Sequence, residues 1–524
     1  MRLEEIHSPE DVRRLKREEL PELSSALRET IIRTVARQGG HLASNLGVVE
    51  ATIALHRVFH MPEDKIIFDV GHQSYVHKLI TGRYGLFQTL RSFGGLSGFP
   101  KRSESPYDVF ETGHASTALS AALGMARARD LLHQKHHVVA FVGDGALTGG
   151  MCYEALNDAG NSQTCMMVIL NDNEMSISPN VGALSRYLTE LRVSRGWQGT
   201  KHAVRKGTSR IPLIGSGIYR LIHWGKKTIK SIFIEEGFFE ALGFKYFGPI
   251  DGHDIELMER TMTLAKEVDG PTVVHILTKK GLGYGKAEER PETFHGLPPQ
   301  SNDEDSQQQF SSAVSFGKAA VEELIRLAET DNRIVGITAA MPTGTGLQAF
   351  QKRFPSRMLD VGIAEEHAVT MAAGLAVGGM KPYFMVYATF FQRAYDQLIH
   401  DVSMQHLPVT FLIDRAGLVG EDGSTHHGIF DLASTLPIPG LVVLAPRDLQ
   451  ELRAIVQWSA AYDAPCAVRY GRQSVDLSDK YPYKEFRLGH WEMLEDGRHG
   501  SILAVGSMVE HAIAVQHLLK KQGV

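Results

Sequence analysis

Cysteine is scarce. Among 524 residues there are three, Cys152, Cys165 and Cys466, and no two stand at a metal-ligand spacing. A thiolate-built metal centre is therefore excluded, and a reducing cytoplasm is the expected compartment. No apolar run approaches the roughly 20 residues that cross a bilayer. The opening Met1-Arg2-Leu3-Glu4-Glu5-Ile6-His7 carries acids where a secretory leader needs an apolar core. Excess positive charge is also missing: a net charge of −5, with acids and bases mixed, leaves no basic face for nucleic acid. Neither a membrane nor a nucleic acid is expected as a partner. The stretch 192–230, with Arg205, Lys206, Lys226 and Lys227, is locally basic and reads as a solvated or mobile surface segment. A Gly-x4-Gly-Lys-Ser/Thr loop is lacking too. Gly281-Leu282-Gly283-Tyr284-Gly285 has the wrong third spacing for a dinucleotide fingerprint.

What is present is the composition of an ordinary globular protein, 43% hydrophobic and 22% charged. At roughly 150 residues per domain, the length allows about three domains. Short β-rich apolar runs alternate with helical patterns, which predicts an α/β fold of mostly parallel sheets flanked by helices. In the first half the strands are expected at 66–69, 138–142, 166–170 and 273–277, with a crossover helix at 149–160. A polar, proline-bearing stretch at 288–309 reads as an interdomain linker. Strands follow at 335–337, 358–363, 383–387, 409–413 and 441–444, with helices at 366–377 and 447–460. After a second polar stretch at 473–489 come one strand, 501–505, and one helix, 509–521. The pattern divides the chain into 1–305, 306–485 and a partial third domain, 486–524. One βα unit cannot cover both faces of a sheet, so this last part either packs on the second domain or belongs to a domain mostly missing here.

The strongest constellation is Gly143-Asp144-Gly145 with Asn171-Asp172-Asn173. Each triplet follows a predicted strand, and one helix separates them, so both sit at carboxyl ends of neighbouring parallel strands. Either alone is more often a turn. Paired at roughly 25–30 residues across one crossover, they make a site for a diphosphate and a divalent ion. Asp144 and Asn173 supply hard oxygen ligands of the kind Mg2+ takes, while Gly143 and Gly145 let the backbone approach phosphates. Glu365 begins an apolar helix just beyond a strand. It is either a helix-dipole partner or a catalytic carboxyl group. Of the 24 histidines, five lie where helices or strands end: His41, His72, His114, His295 and His426.

These stretches resemble the 1-deoxy-D-xylulose-5-phosphate synthase family, transketolase-like enzymes that use thiamine diphosphate. The blocks are GHLASNLG at 40–47, DVGHQSYVHK at 69–78, ETGHAST at 111–117, TFHG at 293–296, IAEEH at 363–367, FFQRAYDQ at 390–397 and DRAGLVGEDGSTHHG at 414–428. The likeness runs from about residue 20 to the last residue. It implies condensation of pyruvate, with decarboxylation, and D-glyceraldehyde 3-phosphate to 1-deoxy-D-xylulose 5-phosphate through a cofactor-bound enamine, by a cytoplasmic homodimer. By resemblance, Met175 adds a backbone carbonyl to the Mg2+ ligands Asp144 and Asn173. His72, Gly113, His114, Ala115, Gly143, Gly145 and Ala146 join them around the cofactor, with Phe390 stacked on its pyrimidine ring. Glu365 would protonate that ring. His41, His426 and Tyr387 would surround the reacting carbonyls, with His426 and Asp422 near the acceptor and His295 facing cofactor and pyruvate. Arg393, Arg415 and Arg472 would grip the acceptor phosphate, for which the planar guanidinium is suited. Three positions depart from the family pattern: Glu366 for glutamine, His427 for glutamine, and Arg469-Tyr470-Gly471-Arg472-Gln473, which lacks a proline. A transketolase, a pyruvate dehydrogenase first component, and a relative that binds cofactor without turnover all remain open at this point.

Overall fold

The computed structural model describes residues 3–175, 181–193, 237–299, 315–420, 423–472, 477, 481–483 and 485–524. Continuous apolar runs become strands buried on both faces, as parallel sheets require. The first sheet holds β1 (Lys65–Phe68), β2 (Val138–Gly143), β3 (Met167–Asp172), β4 (Lys245–Asp251) and β5 (Thr272–Leu277). They lie in the order β1-β2-β3-β5-β4, every pairing parallel. Alternation sorts the side chains: Val138, Ala140 and Val142 enter one core cluster while Val139 and Phe141 enter the other. Of the longer helices, α1 (Leu20–Gln38) packs beyond the sheet, and α2 (Val49–Val58) covers one sheet face. The opposite face is covered by α3 (Ala118–Leu131) and α4 (Gly150–Ser162). On the α2 side lies α5 (Ile255–Lys266), whose first turn is capped by the Asp254 side chain accepting from Leu257 N–H.

The second sheet holds β6 (Ile334–Thr338), β7 (Met358–Asp360), β8 (Lys381–Tyr387), β9 (Thr410–Asp414), β10 (Val442–Leu444) and β11 (Cys466–Arg469). Its order is β10-β11-β9-β8-β6-β7, again parallel throughout. Helices α6 (Phe316–Thr330) and α8 (Leu449–Ala461) cover one face, and α7 (Glu365–Val377) the other. The chain passes from β7 at one edge through α7 to β8 on the far side of β6. That reversal opens a crevice at the carboxyl ends of the strands, where α/β sheets take ligands.

Most expected elements are present within a few residues. Strand β7 stops at Asp360, short of the expected 363, because Gly362 turns the chain at φ 74°. Strands β4 and β11 were not foreseen. The expected strand at 501–505 does not form: that segment pairs with no strand among the described residues, and a strand without a neighbour has no ladder. The helix after it, α9 (Met508–Lys521), is present. The stretch 288–309 is not a loose linker where it is described. Phe294 and Leu297 pack against the α1 cluster, and Leu297 and Gly40 exchange backbone hydrogen bonds at 2.8 Å each. Lys226 and the basic residues around it lie outside the described residues, as do 300–314 and most of 473–480.

Candidate active site

Three carboxylates mark the ends of β1, β2 and β3. Asp69 accepts from Ser116 N–H at 2.7 Å and Ala118 N–H at 2.9 Å, fixing the loop that carries Gly113, His114 and Ala115. Burial pushes the Asp69 carboxyl up to about 6. Asp144 accepts from Gly145, Asn173 and Glu174 N–H groups at 2.9, 3.1 and 2.7 Å, so the two triplets meet. The Asn173 side-chain oxygen in turn accepts from Met175 N–H at 3.1 Å. Burial, with Asp172 beside it, drives the Asp144 carboxyl well above the usual range. Asp172 is held below that range, against its own burial, by His275 at 2.9 Å and Arg192 at 2.8 Å. The hard oxygen donors that meet here, the Asp144 carboxyl and the Asn173 side-chain oxygen, are of the kind Mg2+ takes. Gly143, Gly145 and Ala146 surround this point at the start of the short helix Asp144–Leu147. Lys280 is buried close by, its ammonium pulled down to about 8 by burial against the attraction of Asp144.

Above the Asp144 loop the five histidines converge. Ring centroids of His41 and His72 are 5.4 Å apart, of His41 and His295 5.6 Å, and of His72 and His295 5.3 Å. His114 and His426 are 5.7 Å apart. Burial holds His41, His72 and His295 well below the ordinary imidazole value, so these rings are neutral. Nδ1 of His41 and Nδ1 of His72 are buried without hydrogen-bond partners among the described residues. Asn45 sets both loops: its amide donates to the His41 carbonyl at 2.7 Å and the His72 carbonyl at 2.8 Å. Ser44 Oγ lies 3.5 Å from His295 Nδ1, which brings the 293–296 turn into the same ring.

The second sheet closes the space. His114 Nε2 lies 2.9 Å from Thr389 Oγ1 and 3.1 Å from the Thr425 carbonyl. The His114 ring meets Phe390 at 5.1 Å. A methyl group on Gly113 would stand 2.6 Å from Thr425 Cβ, so only glycine allows this approach. Glu365 opens α7 with 3% exposure, and its Oε2 has no hydrogen-bond partner among the described residues. Burial raises its carboxyl to about 7, although Arg393 stands 4.0 Å away. Phe390 stacks on Tyr387 at 5.9 Å and meets His426 edge-on at 5.5 Å. Arg415 lies over the Tyr387 ring at 4.0 Å, and both Arg415 and Arg472 act on Asp414, which burial raises to about 6. Arg393 donates to the Ala115 carbonyl and stands beside Glu365. Asp422 lies outside the described residues.

The sequence reading passed over Asp69, Asn45, Lys280, Asp414 and Phe99, the last of which touches both His41 and His426. Asp69 and Asp414 did carry a signal, a carboxylate at a strand end like Asp144. Asn45 sat inside a quoted block but is not itself a chemical group of catalysis.

Residues 3–278 match the family model described as 1-deoxy-D-xylulose-5-phosphate synthase, and 312–477 match that of the transketolase pyrimidine-binding domain. A 1-deoxy-D-xylulose-5-phosphate synthase of Clostridium acetobutylicum is 49% identical over 523 residues, spanning 100% of this chain and 84% of its own length. The chain belongs to the 1-deoxy-D-xylulose-5-phosphate synthase family. A synthase of Clostridium kluyveri is 50% identical over 98% of this chain and 82% of its own. A solved transketolase from Campylobacter jejuni aligns over 97% of this chain and 87% of its own at 18% identity and a TM-score of 0.41. Membership in this family makes the chain a thiamine-diphosphate-dependent transferase of the transketolase type, and it favours the synthase over the transketolase and dehydrogenase alternatives. No helix among the described residues is long and apolar enough to cross a membrane.

Proposed function

We propose that this chain joins pyruvate, with loss of carbon dioxide, to D-glyceraldehyde 3-phosphate, giving 1-deoxy-D-xylulose 5-phosphate. The observation that carries the reading is Glu365, a buried carboxyl group raised to about 7 whose Oε2 lacks a hydrogen-bond partner, beside the ring of histidines and the Asp144 loop. A protonated carboxyl group held ready for a ring nitrogen suits the pyrimidine of thiamine diphosphate, which when bound supplies the electron sink for decarboxylation. Asp144, Asn173 and the Met175 carbonyl would hold Mg2+. His72, Gly113, His114, Ala115, Gly143, Gly145 and Ala146 would line the diphosphate, and Phe390 would stack on the pyrimidine.

Neutral His41 and His295, with His426 and Tyr387, would bind and orient the reacting carbonyls, and an imidazole can pass a proton near neutral pH. Asp422 would join His426 on the acceptor side. Arg415 and Arg472, with Arg393, would take the acceptor phosphate. The reading includes domains divided near 305 and 485, a homodimer and a cytoplasmic location. Incubation with pyruvate and glyceraldehyde phosphate, against a ketose phosphate donor in a parallel reaction, tests the proposal. Carbon dioxide and the deoxyketose phosphate are expected only from the first pair. Turnover of the ketose donor instead would replace this reading with a transketolase.

A further inference from the structure

Phe99 is the apolar member of the histidine ring. It is 3% exposed, stacks on His426 at 5.1 Å with an interplanar angle of 26°, and meets His41 at 5.6 Å. Its segment, 97–108, has no regular secondary structure, yet it is clamped by two carboxylates that fold back on it. Glu104 accepts from Ser97 N–H at 2.6 Å, and Ser97 Oγ accepts from Phe99 N–H at 3.1 Å. Asp108 accepts from Lys101 N–H at 2.8 Å.

Both carboxylates are then bolted to the turn of helix that follows His72. Lys78 Nζ donates to Glu104 at 2.6 Å, Arg83 donates to Asp108 at 2.6 and 2.9 Å, and His77 Nε2 lies 2.8 Å from Asp108. His56 continues the chain, 3.0 Å from the other nitrogen of His77. The side chains of Lys78 and Asp108 are 0% exposed. Burying such ions costs more than apolar packing of the same volume, so the clamp is weak as a source of stability and strong as a fixer of position. What it fixes is Phe99 relative to the segment that follows His72.

We infer that Phe99 is a positioning residue for the acceptor aldehyde, acting by holding the His426 imidazole flat and excluding water between it and His41. The inference rests on the proposed placement of His426 beside the acceptor. An aromatic contact of this kind is worth a few-fold to about tenfold in an equilibrium constant. In the full chain with thiamine diphosphate and Mg2+, Phe99→Leu should raise KM for glyceraldehyde phosphate about five- to tenfold. KM for pyruvate and cofactor affinity should change by less than about twofold. Phe99→Tyr, which keeps the stacked ring, should restore the aldehyde KM. The inference is overturned if both substrate KM values rise together, if neither rises, or if the tyrosine variant is as impaired as the leucine one. His426→Ala separates the two layers. An unchanged aldehyde KM in that variant removes the placement of His426, whereas a raised KM there with normal Phe99→Leu kinetics removes only the role of Phe99.

Discussion

Arg393 holds its guanidinium 4.0 Å from the Glu365 carboxyl group while also donating to the Ala115 carbonyl, so one cation from the second sheet reaches both the buried Glu365 and the loop of the first. Burial still prevails over that charge, and the Glu365 carboxyl stands at about 7 against an ordinary 4.5.

The raised value has a cost in stability with a definite sign. The folded chain keeps a proton on Glu365 that the unfolded chain releases as pH passes about 4.5. Stability from this group is therefore full below that pH and is lost as pH rises toward about 7. Glu365→Gln should unfold later than the parent at pH 8, by up to about 3 kcal/mol, and match it near pH 4. Urea titrations of the cofactor-free protein at both pH values check this. The same variant should lose turnover by at least about a thousandfold, and near-normal carbon dioxide release would end the acid role.

Asp144→Ala removes a proposed ligand together with an acceptor for three backbone N–H groups. Its affinity for Mg2+ and thiamine diphosphate, measured by calorimetry, should fall by at least about 100-fold, with the far-ultraviolet circular dichroism unchanged. Retained affinity would refute the metal assignment.

The Arg415 guanidinium lies over the Tyr387 ring and its backbone N–H donates to Asp414 at 2.6 Å, which fixes the place from which it would grip a phosphate. Arg415→Ala should raise KM for glyceraldehyde 3-phosphate by at least about 30-fold and leave KM for pyruvate and for unphosphorylated glyceraldehyde near parental values. Equal losses for both aldehydes would place the phosphate elsewhere.

Lys78→Met removes the nearer of the two cations beside Glu104, leaving Arg83 at 3.5 Å. Such a break destabilises by roughly 3–5 kcal/mol, seen as a lower urea midpoint. The double variant Lys78→Met with Glu104→Leu should recover a large part of it. A single variant as stable as the parent would show that the Lys78–Glu104 pair contributes little to stability.

The strand cores and the triplets at 143–145 and 171–173 were legible because they are local: a β-branched run followed at once by a short polar triplet needs no partner to be seen. Strand β4 was not, because an edge strand reading Lys-Tyr-Phe-Gly-Pro-Ile-Asp is half-exposed and interrupted by glycine and proline. Strand β11 is four residues long and declares itself only by pairing between β9 and β10. The segment 501–505 erred the other way, having the right residues and no neighbour. The site was harder. His41, His72 and His295 lie in three separate stretches, and Phe99 gains its position from Lys78 and Arg83, so nothing in its own block announces it.

The contact of His114 with Thr389 and Thr425 joins positions 275 and 311 residues apart. During synthesis the residues of the first sheet are therefore made long before Thr389 and Thr425, which close on His114. The Asp144 loop belongs to the first sheet, whereas Glu365, Phe390 and His426 follow in the second half of the chain. The two halves become one enzyme only when both are folded.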